Sequence, residues 1–330
     1  GDALDYYFIY GPTLDRVIAG YRWLTGEAPL LPKYAFGYWQ SKERYASQEE
    51  IVEVAREFRR KGIPIDIIVQ DWMYWGKHGW NAFKFEEERY PDPAKMVKDL
   101  HDLGVRVAIS IWPFFGKETE IYREAAELGH LIPGTGLVNM FSEAARRWFW
   151  EKIRDTFFRI GFDGWWLDAS EPEVGAGLVY VTMQHDLKID NERMYKYLNI
   201  YPLLETKGVY EGQRRDSNKR VLILTRSGFA GIQRYGVVNW SGDITGDWTT
   251  LRTQVWAGLN YSLSGLPWWC TDIGGFWSGS PDSEGYRELF VRWFQWGVFC
   301  PVFRVHGTGF PKEPWRFGPE VERLLVEFIK

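Results

Sequence analysis

Eight short apolar runs punctuate the chain, and each carries a polar, charged or indole side chain at or near its end. They cover 35–41 with Gln40, 65–71 with Asp71, 106–113 with Trp112, and 164–170 with Asp168. The remaining four cover 220–227 with Arg226, 237–243 with Asp243, 268–275 with Asp272, and 301–307 with His306. Near-continuous apolar runs of this length predict parallel strands covered on both faces. Segments with helical spacing lie among them at 47–61, 94–103, 118–128, 142–160, 192–212, 247–263, 283–299 and 319–329. Ser47 predicts an N-cap, Glu50 three residues on completes a capping-box pattern, and Gly62 predicts the stop. The alternation of strand and helix through eight units predicts a closed (β/α)8 TIM barrel, in the α/β class, over an open doubly wound sheet. Residues 1–33, with Gly11-Pro12 and Pro29, predict a lead-in packed on the barrel bottom, and 34–330 the barrel itself. The stretch 175–190 lacks periodicity and predicts a long loop over the barrel mouth.

Composition narrows the possible partners. The 330 residues are 45% hydrophobic and 25% charged, as in a soluble protein with a large core. A net charge of −4 gives no basic footprint for nucleic acid, and no apolar run approaches the roughly 20 residues that span a bilayer. No signal peptide pattern is visible at Gly1, which favours a cytoplasmic setting. Cys270 and Cys300 sit inside apolar runs and predict buried free thiols. The aromatic content of 18%, with 19 Trp, changes the picture more. Trp148, Trp150 and Trp293 fall on predicted helices and predict core packing. Trp39, Trp72, Trp75, Trp112, Trp166, Trp240, Trp268 and Trp269 fall at or near predicted strand ends, where an indole can pack on the apolar face of a flat ligand.

Such barrels carry their chemistry at the C-terminal ends of the strands. Two carboxylates there stand out, Asp168 in Trp165-Trp166-Leu167-Asp168 and Asp243 in Trp240-Ser241-Gly242-Asp243. Retaining glycoside hydrolysis needs one ionised carboxylate as nucleophile and one protonated carboxyl as acid, about 5–5.5 Å apart. Arg226 on the neighbouring strand would keep Asp168 charged. Burial or the second carboxylate would raise the acid, and Trp240 would supply an apolar wall. The plain alternative for a strand-end aspartate is a cap or a loop hydrogen bond. That reading suits Asp163 and also Asp247, which predicts the N-cap of the next helix. Glu171 predicts a residue that orients the fourth strand's end. No His-x-His or Cys cluster suggests a metal, and no glycine pattern suggests a phosphate cradle, so no cofactor is expected. Two competing readings remain: a sugar-binding scaffold without turnover, and a metal-dependent hydrolase with Asp71, Asp168, Asp272 and His306 as ligands.

The motifs also resemble a known family. Trp165-Trp166-Leu167-Asp168-Ala169-Ser170-Glu171 is similar to the nucleophile region of glycoside hydrolase family 31. Arg226-Ser227-Gly228-Phe229-Ala230-Gly231 followed by Gln233-Arg234-Tyr235 and Trp240-Ser241-Gly242-Asp243 is similar to its acid/base region. Asp272-Ile273-Gly274-Gly275-Phe276 and Phe303-Arg304-Val305-His306-Gly307 match in the same order. The resemblance implies retaining action on α-linked sugars, with Asp168 as nucleophile and Asp243 as acid/base. It implies that Asp71, Arg226 and His306 bind the sugar, that Trp166 and Trp240 form aromatic walls, and that Asp272 stands beneath the site. The run 38–45 and Gln70-Asp71-Trp72 with Tyr74-Trp75 look most like the α-xylosidase group, which implies an α-linked oligosaccharide substrate ending in xylose. α-Glucosidase action is the alternative within the family. Excluding the C6 hydroxymethyl of glucose calls for a bulky wall, and Trp72 or Trp112 would supply it. Family members usually add an N-terminal β-sandwich that lends a loop to the site, and β-domains after the barrel. Their absence from this sequence suggests an isolated, minimal or engineered barrel with apolar surface available for self-association.

Overall fold

The computed structural model describes residues 4–172, 188–189, 192–277 and 279–330. Eight parallel strands form one sheet: β1 (Tyr38–Gln40), β2 (Ile67–Gln70), β3 (Arg106–Ile111), β4 (Gly164–Leu167), β5 (Ile223–Thr225), β6 (Val237–Trp240), β7 (Trp269–Cys270) and β8 (Phe303–Val305). Their order is β8-β1-β2-β3-β4-β5-β6-β7. The ring closes between β7 and β8 through the parallel bridge of Ile273 with Val305 and the bond from Val302 N–H to the Trp269 carbonyl. The predicted (β/α)8 barrel is therefore the observed fold. All eight apolar runs are strands, each shorter than its run.

Burial explains why the strands look continuously apolar. Successive residues point to opposite faces, and both faces are covered. Trp39, Ile67, Val69, Ala108, Trp166, Leu224 and Val238 fill the barrel interior. Their neighbours Tyr38, Ile68, Val107, Trp165, Ile223 and Val237 join the core beneath the helices. The same period of two carries the inner face to the mouth. Ile67 and Val69 lead to Asp71, Trp166 to Asp168, Leu224 to Arg226, Cys270 to Asp272, and Val302 to Arg304 and His306.

The helical layer comprises α1 (Leu14–Thr25), α2 (Gln48–Arg60), α3 (Pro93–Asp102), α4 (Glu120–Glu127), α5 (Glu143–Ile153), α6 (Tyr201–Asp216), α7 (Trp248–Leu263), α8 (Glu284–Phe299) and α9 (Pro319–Ile329). Side-chain oxygens of Ser47, Asp92, Thr119, Ser142, Asp247 and Ser283 accept from backbone N–H groups in the first turns of α2, α3, α4, α5, α7 and α8. The capping box is only half made. The Glu50 carboxylate accepts from the Ala46 N–H and from Lys42 instead of reaching back to Ser47.

The alternation of strand and helix is also less regular than the pattern predicts. Two helices, α4 and α5, separate β3 from β4, whereas β5 and β6 are joined through a short 3-10 turn, Ile232–Tyr235. The helix predicted at 192–212 is regular only from Tyr201 and runs on to Asp216. Two 3-10 turns, Met194–Lys196 and Leu198–Ile200, precede it, and Pro202 sits in its first turn, where a missing N–H costs nothing. The predicted loop 175–190 lies outside the described residues, apart from Lys188–Ile189, which pairs antiparallel with Glu192–Arg193.

At the N-terminal ends of the strands, Leu31 and Ala35 enter the inner core. Arg220 Nη1 donates to the Leu31 carbonyl, and Gln233 Nε2 donates to Thr25 Oγ1 and the Gly26 carbonyl. Helix α1 has no buried residue, and Trp256, Leu259 and Leu263 on α7 are exposed. No helix among the described residues is long and apolar enough to cross a membrane.

Candidate active site

A cavity of about 230 Å³ opens at the C-terminal ends of the strands. That is below the about 300–1,000 Å³ of drug-sized ligand sites and suits a single sugar ring. Asp71, Arg226, His306, Trp166, Trp112, Asp168 and Asp243 all line it, as does Trp72. Four further lining residues, Glu43, Trp80, Phe276 and Trp277, were not singled out as site residues from the sequence, although Glu43 lies in the run 38–45 and Phe276 ends the motif that begins at Asp272. A larger surface groove between α8 and α9, of about 750 Å³, contains none of these residues.

Arg226 organises one wall. Its Nη1 lies 3.6 Å from Asp168 Oδ1 and 3.7 Å from Asp243 Oδ2, and its Nε donates to Glu171 Oε1 at 2.7 Å. One guanidinium nitrogen therefore lies within 3.7 Å of both carboxylates singled out from sequence, and Glu171 holds the fork through Nε and Nη2. Burial would lower the Arg226 guanidinium, but Asp168, Glu171 and Asp243 outweigh it and raise it. Burial raises the Asp168 carboxyl to about 6; Arg226 opposes that rise and Asp243 adds to it. Arg226 thus restrains Asp168 without restoring its ordinary acidity, and a carboxyl at about 6 is still mostly ionised at neutral pH.

Local backbone geometry aims these groups. Asp168 is the first residue past β4, its N–H bonded to the Ile111 carbonyl and its Oδ1 accepting from the Ala169 N–H. Ala169 has φ 56°, a left-handed conformation that costs a non-glycine residue energy and turns the chain sharply after the carboxylate. Asp243 breaks the period-of-two rule. It reaches the mouth through Gly242, whose φ of 79° suits glycine.

The opposite wall comes from β1, β2 and β8. Asp71 Oδ1 accepts from the Trp72 N–H at 2.7 Å, and Asp71 Oδ2 lies 3.9 Å from His306 Nε2. Burial pushes Asp71 well above the usual carboxylate range. Ser41 Oγ sits 2.7 Å from His306 Nδ1. The imidazole is edge-on to Trp166 and stacked on Phe276. Burial, then Arg304 and Lys312, push His306 well below its ordinary value, so the ring is neutral at physiological pH.

Two residues picked from the sequence stand under this wall and not on it. Asp272 is fully buried and ion-paired with Arg304, so its carboxylate is not offered to a ligand. Trp240 is buried with its indole edge-on to Trp166, and the Arg304 guanidinium lies over both rings. Trp39, Trp75 and Trp269 are likewise buried in the scaffold. Among the described residues no group of three or more His, Cys, Asp or Glu side chains is placed to hold a metal ion. The set Asp71, Asp168, Asp272 and His306 is divided by the Arg304 pair.

Residues 28–330 match the family model described as the glycosyl hydrolases family 31 TIM-barrel domain. The chain belongs to glycoside hydrolase family 31. It is 58% identical to an α-xylosidase of Saccharolobus solfataricus over all of its own length and 45% of that protein. It is 34% identical to α-glucosidase 2 of Bacillus thermoamyloliquefaciens over all of its length and 44% of that protein. The crystal structure of a family 31 α-xylosidase from Xanthomonas citri superposes with a TM-score of 0.91 at 38% identity, covering 96% of this chain and 37% of that one. The chain thus spans less than half the length of these family 31 relatives.

Proposed function

We propose that this family 31 barrel is the catalytic part of a retaining α-glycosidase that releases terminal α-linked xylose from oligosaccharides. The reading is carried by one observation: Asp168 and Asp243 share a single Arg226 nitrogen across a cavity the size of one sugar. A separation spanned by one nitrogen is compatible with the about 5–5.5 Å of retaining enzymes. Asp168 attacks the anomeric carbon from the face opposite the aglycone while Asp243 protonates the departing oxygen. The resulting β-linked glycosyl-enzyme is opened by water that gives its proton to Asp243, so the anomeric configuration is retained. Asp71 and His306 hold ring hydroxyls, and Trp166 and Trp112 pack on the ring's apolar edges. The relatives named α-xylosidase support xylose, whereas the equally well covered α-glucosidase makes glucose the competing sugar.

The test is release of p-nitrophenol from the α-xyloside and the α-glucoside, with Asp168→Asn as control. Replacing the nucleophile should lower kcat by on the order of 10⁴-fold or more. Proton NMR of the first product should show α-xylose before mutarotation. Wild-type rates in Asp168→Asn, or β-xylose as first product, would sink the reading.

A further inference from the structure

We propose that Glu43 sets the sugar selectivity of this site by holding the Trp72 indole as a wall against hexoses. The inference deepens the reading above and rests on the cavity being a monosaccharide site. Glu43 lies two residues beyond Ser41, and its N–H donates to the Gly307 carbonyl at 3.0 Å, which pins the loop after β1 to the end of β8. Its Oε1 accepts from Trp72 Nε1 at 3.1 Å and from Arg44 Nη1 at 3.2 Å. The Arg44 guanidinium carbon lies 4.6 Å from the Trp72 ring centroid, a cation–π contact. The Trp80 ring backs the indole at 5.3 Å. Trp72 is thus held at its N–H edge by a carboxylate, over one ring by a guanidinium, and along its side by a second indole. The Trp72 backbone N–H donates to Asp71 Oδ1, which fixes the proposed hydroxyl-binding carboxylate beside the wall.

The chemistry of the choice explains why the holding matters. Xylose and glucose differ by one exocyclic hydroxymethyl, and one extra carbon against a pocket wall is discriminated by only about 10–200-fold. A tryptophan free to change rotamer would yield to that carbon; one locked by its surroundings does not. Glu43 and Arg44 are both partly exposed, and an ion pair of that kind adds little to stability. Their arrangement around the indole therefore points to positioning rather than to folding.

The experiment measures xylose and glucose binding by calorimetry, and kcat/KM for the two p-nitrophenyl glycosides, on the 330-residue chain and on Glu43→Gln, Glu43→Ala and Trp72→Val. Wild type should favour xylose by about tenfold or more, and Glu43→Ala and Trp72→Val should bring the two sugars within about threefold. Glu43→Gln keeps an acceptor for the indole N–H and should keep most of the preference. A merely structural role would weaken both sugars together and leave their ratio unchanged. An unchanged ratio in Glu43→Ala and Trp72→Val overturns the proposal, as does equal binding of both sugars, or of neither, by wild type. If the binding ratios shift as expected but no variant, wild type included, turns over either glycoside, the catalytic reading fails and the wall stands.

Discussion

Arg226 and Arg304 both extend the inner face of a barrel strand, yet their surroundings are opposite. The Arg226 side chain is 18% exposed and serves three carboxylates, Asp168, Glu171 and Asp243. The Arg304 side chain is 0% exposed and is ion-paired with one, Asp272, with its guanidinium over the faces of Trp166 and Trp240. The mouth therefore carries an excess of anions and the layer beneath it an excess of cations. There the buried Lys312, whose Nζ donates to the carbonyls of Gly275 and His306, joins Arg304 against Asp272. Burial lowers Lys312 to about 7, with Asp272 opposing. An anionic mouth suits the oxocarbenium-like transition state of glycoside cleavage, since fixed negative charge meets developing positive charge. Burial first, and the cationic layer after it, lower His306, so the ring presents one donor and one acceptor instead of a charge.

The largest expected effect separates the two arginines. Arg304→Met leaves Asp272 buried and without its partner, which should cost about 3–5 kcal/mol of stability; Arg304→Met with Asp272→Leu should recover most of it. Arg226→Met should instead lower kcat by about 10²-fold, with a far smaller change in stability, because Asp168, Glu171 and Asp243 lose the guanidinium that positions them and that opposes the rise of Asp168. Denaturant unfolding beside kcat/KM reads both. The comparison breaks if Arg304→Met is as stable as wild type, or if Arg226→Met is the variant that unfolds.

Next in size is the pH dependence of Asp168. As the proposed nucleophile Asp168 must be ionised, and its carboxyl is raised to about 6, by burial first. Activity should therefore fall as pH drops through about 6, with an acid limb in kcat/KM there. The sign for stability is the reverse of a helpful ion pair. A carboxyl raised in the folded state destabilises the fold once ionised; the cost is absent below the ordinary value of 3.8 and fully present above about 6. Asp168→Asn should raise Tm at pH 7 and have less effect at pH 4. A limb near pH 4, or a lower Tm at pH 7, would place Asp168 in a different environment.

The same contrast explains what the sequence made legible. A strand-end residue on the inner face is found by counting twos from the apolar residues, and that recovers Asp71, Asp168, Arg226 and His306. The count also picks out Asp272, because one-dimensional spacing does not give depth. Asp272 sits one layer down, where Arg304 takes up its carboxylate. Glu43, Trp80 and Trp277 lie in loops beyond the strands, where no periodicity predicts direction. Only the three-dimensional path of the loop after β1 brings Glu43 to Trp72. The two helices between β3 and β4 were readable from the helical spacing at 118–128 and 142–160. The bare connection between β5 and β6 was visible only as a missing helical pattern between 227 and 237, and the count of eight helices concealed it.

The smallest effect tests whether the wall of Asp71 and His306 can be altered apart from the carboxylate pair. Ser41 Oγ meets His306 Nδ1 at 2.7 Å, and the other ring nitrogen faces Asp71 at 3.9 Å. In a neutral imidazole one nitrogen donates and the other accepts, and the Ser41 hydroxyl helps to decide which of them faces the cavity as a donor. Ser41→Ala removes one hydrogen bond between neutral groups, a loss of about 0.5–1.5 kcal/mol, or roughly 2–10-fold. That loss should appear in KM for the xyloside, because in the proposed mechanism the ring holds a hydroxyl and takes no part in proton transfer. The acid limb near pH 6 should stay where Asp168 puts it, and Ser41→Thr should restore KM. A shift of the limb in Ser41→Ala would mean that His306 is coupled to the carboxylates across the cavity, and the two walls would then act as one.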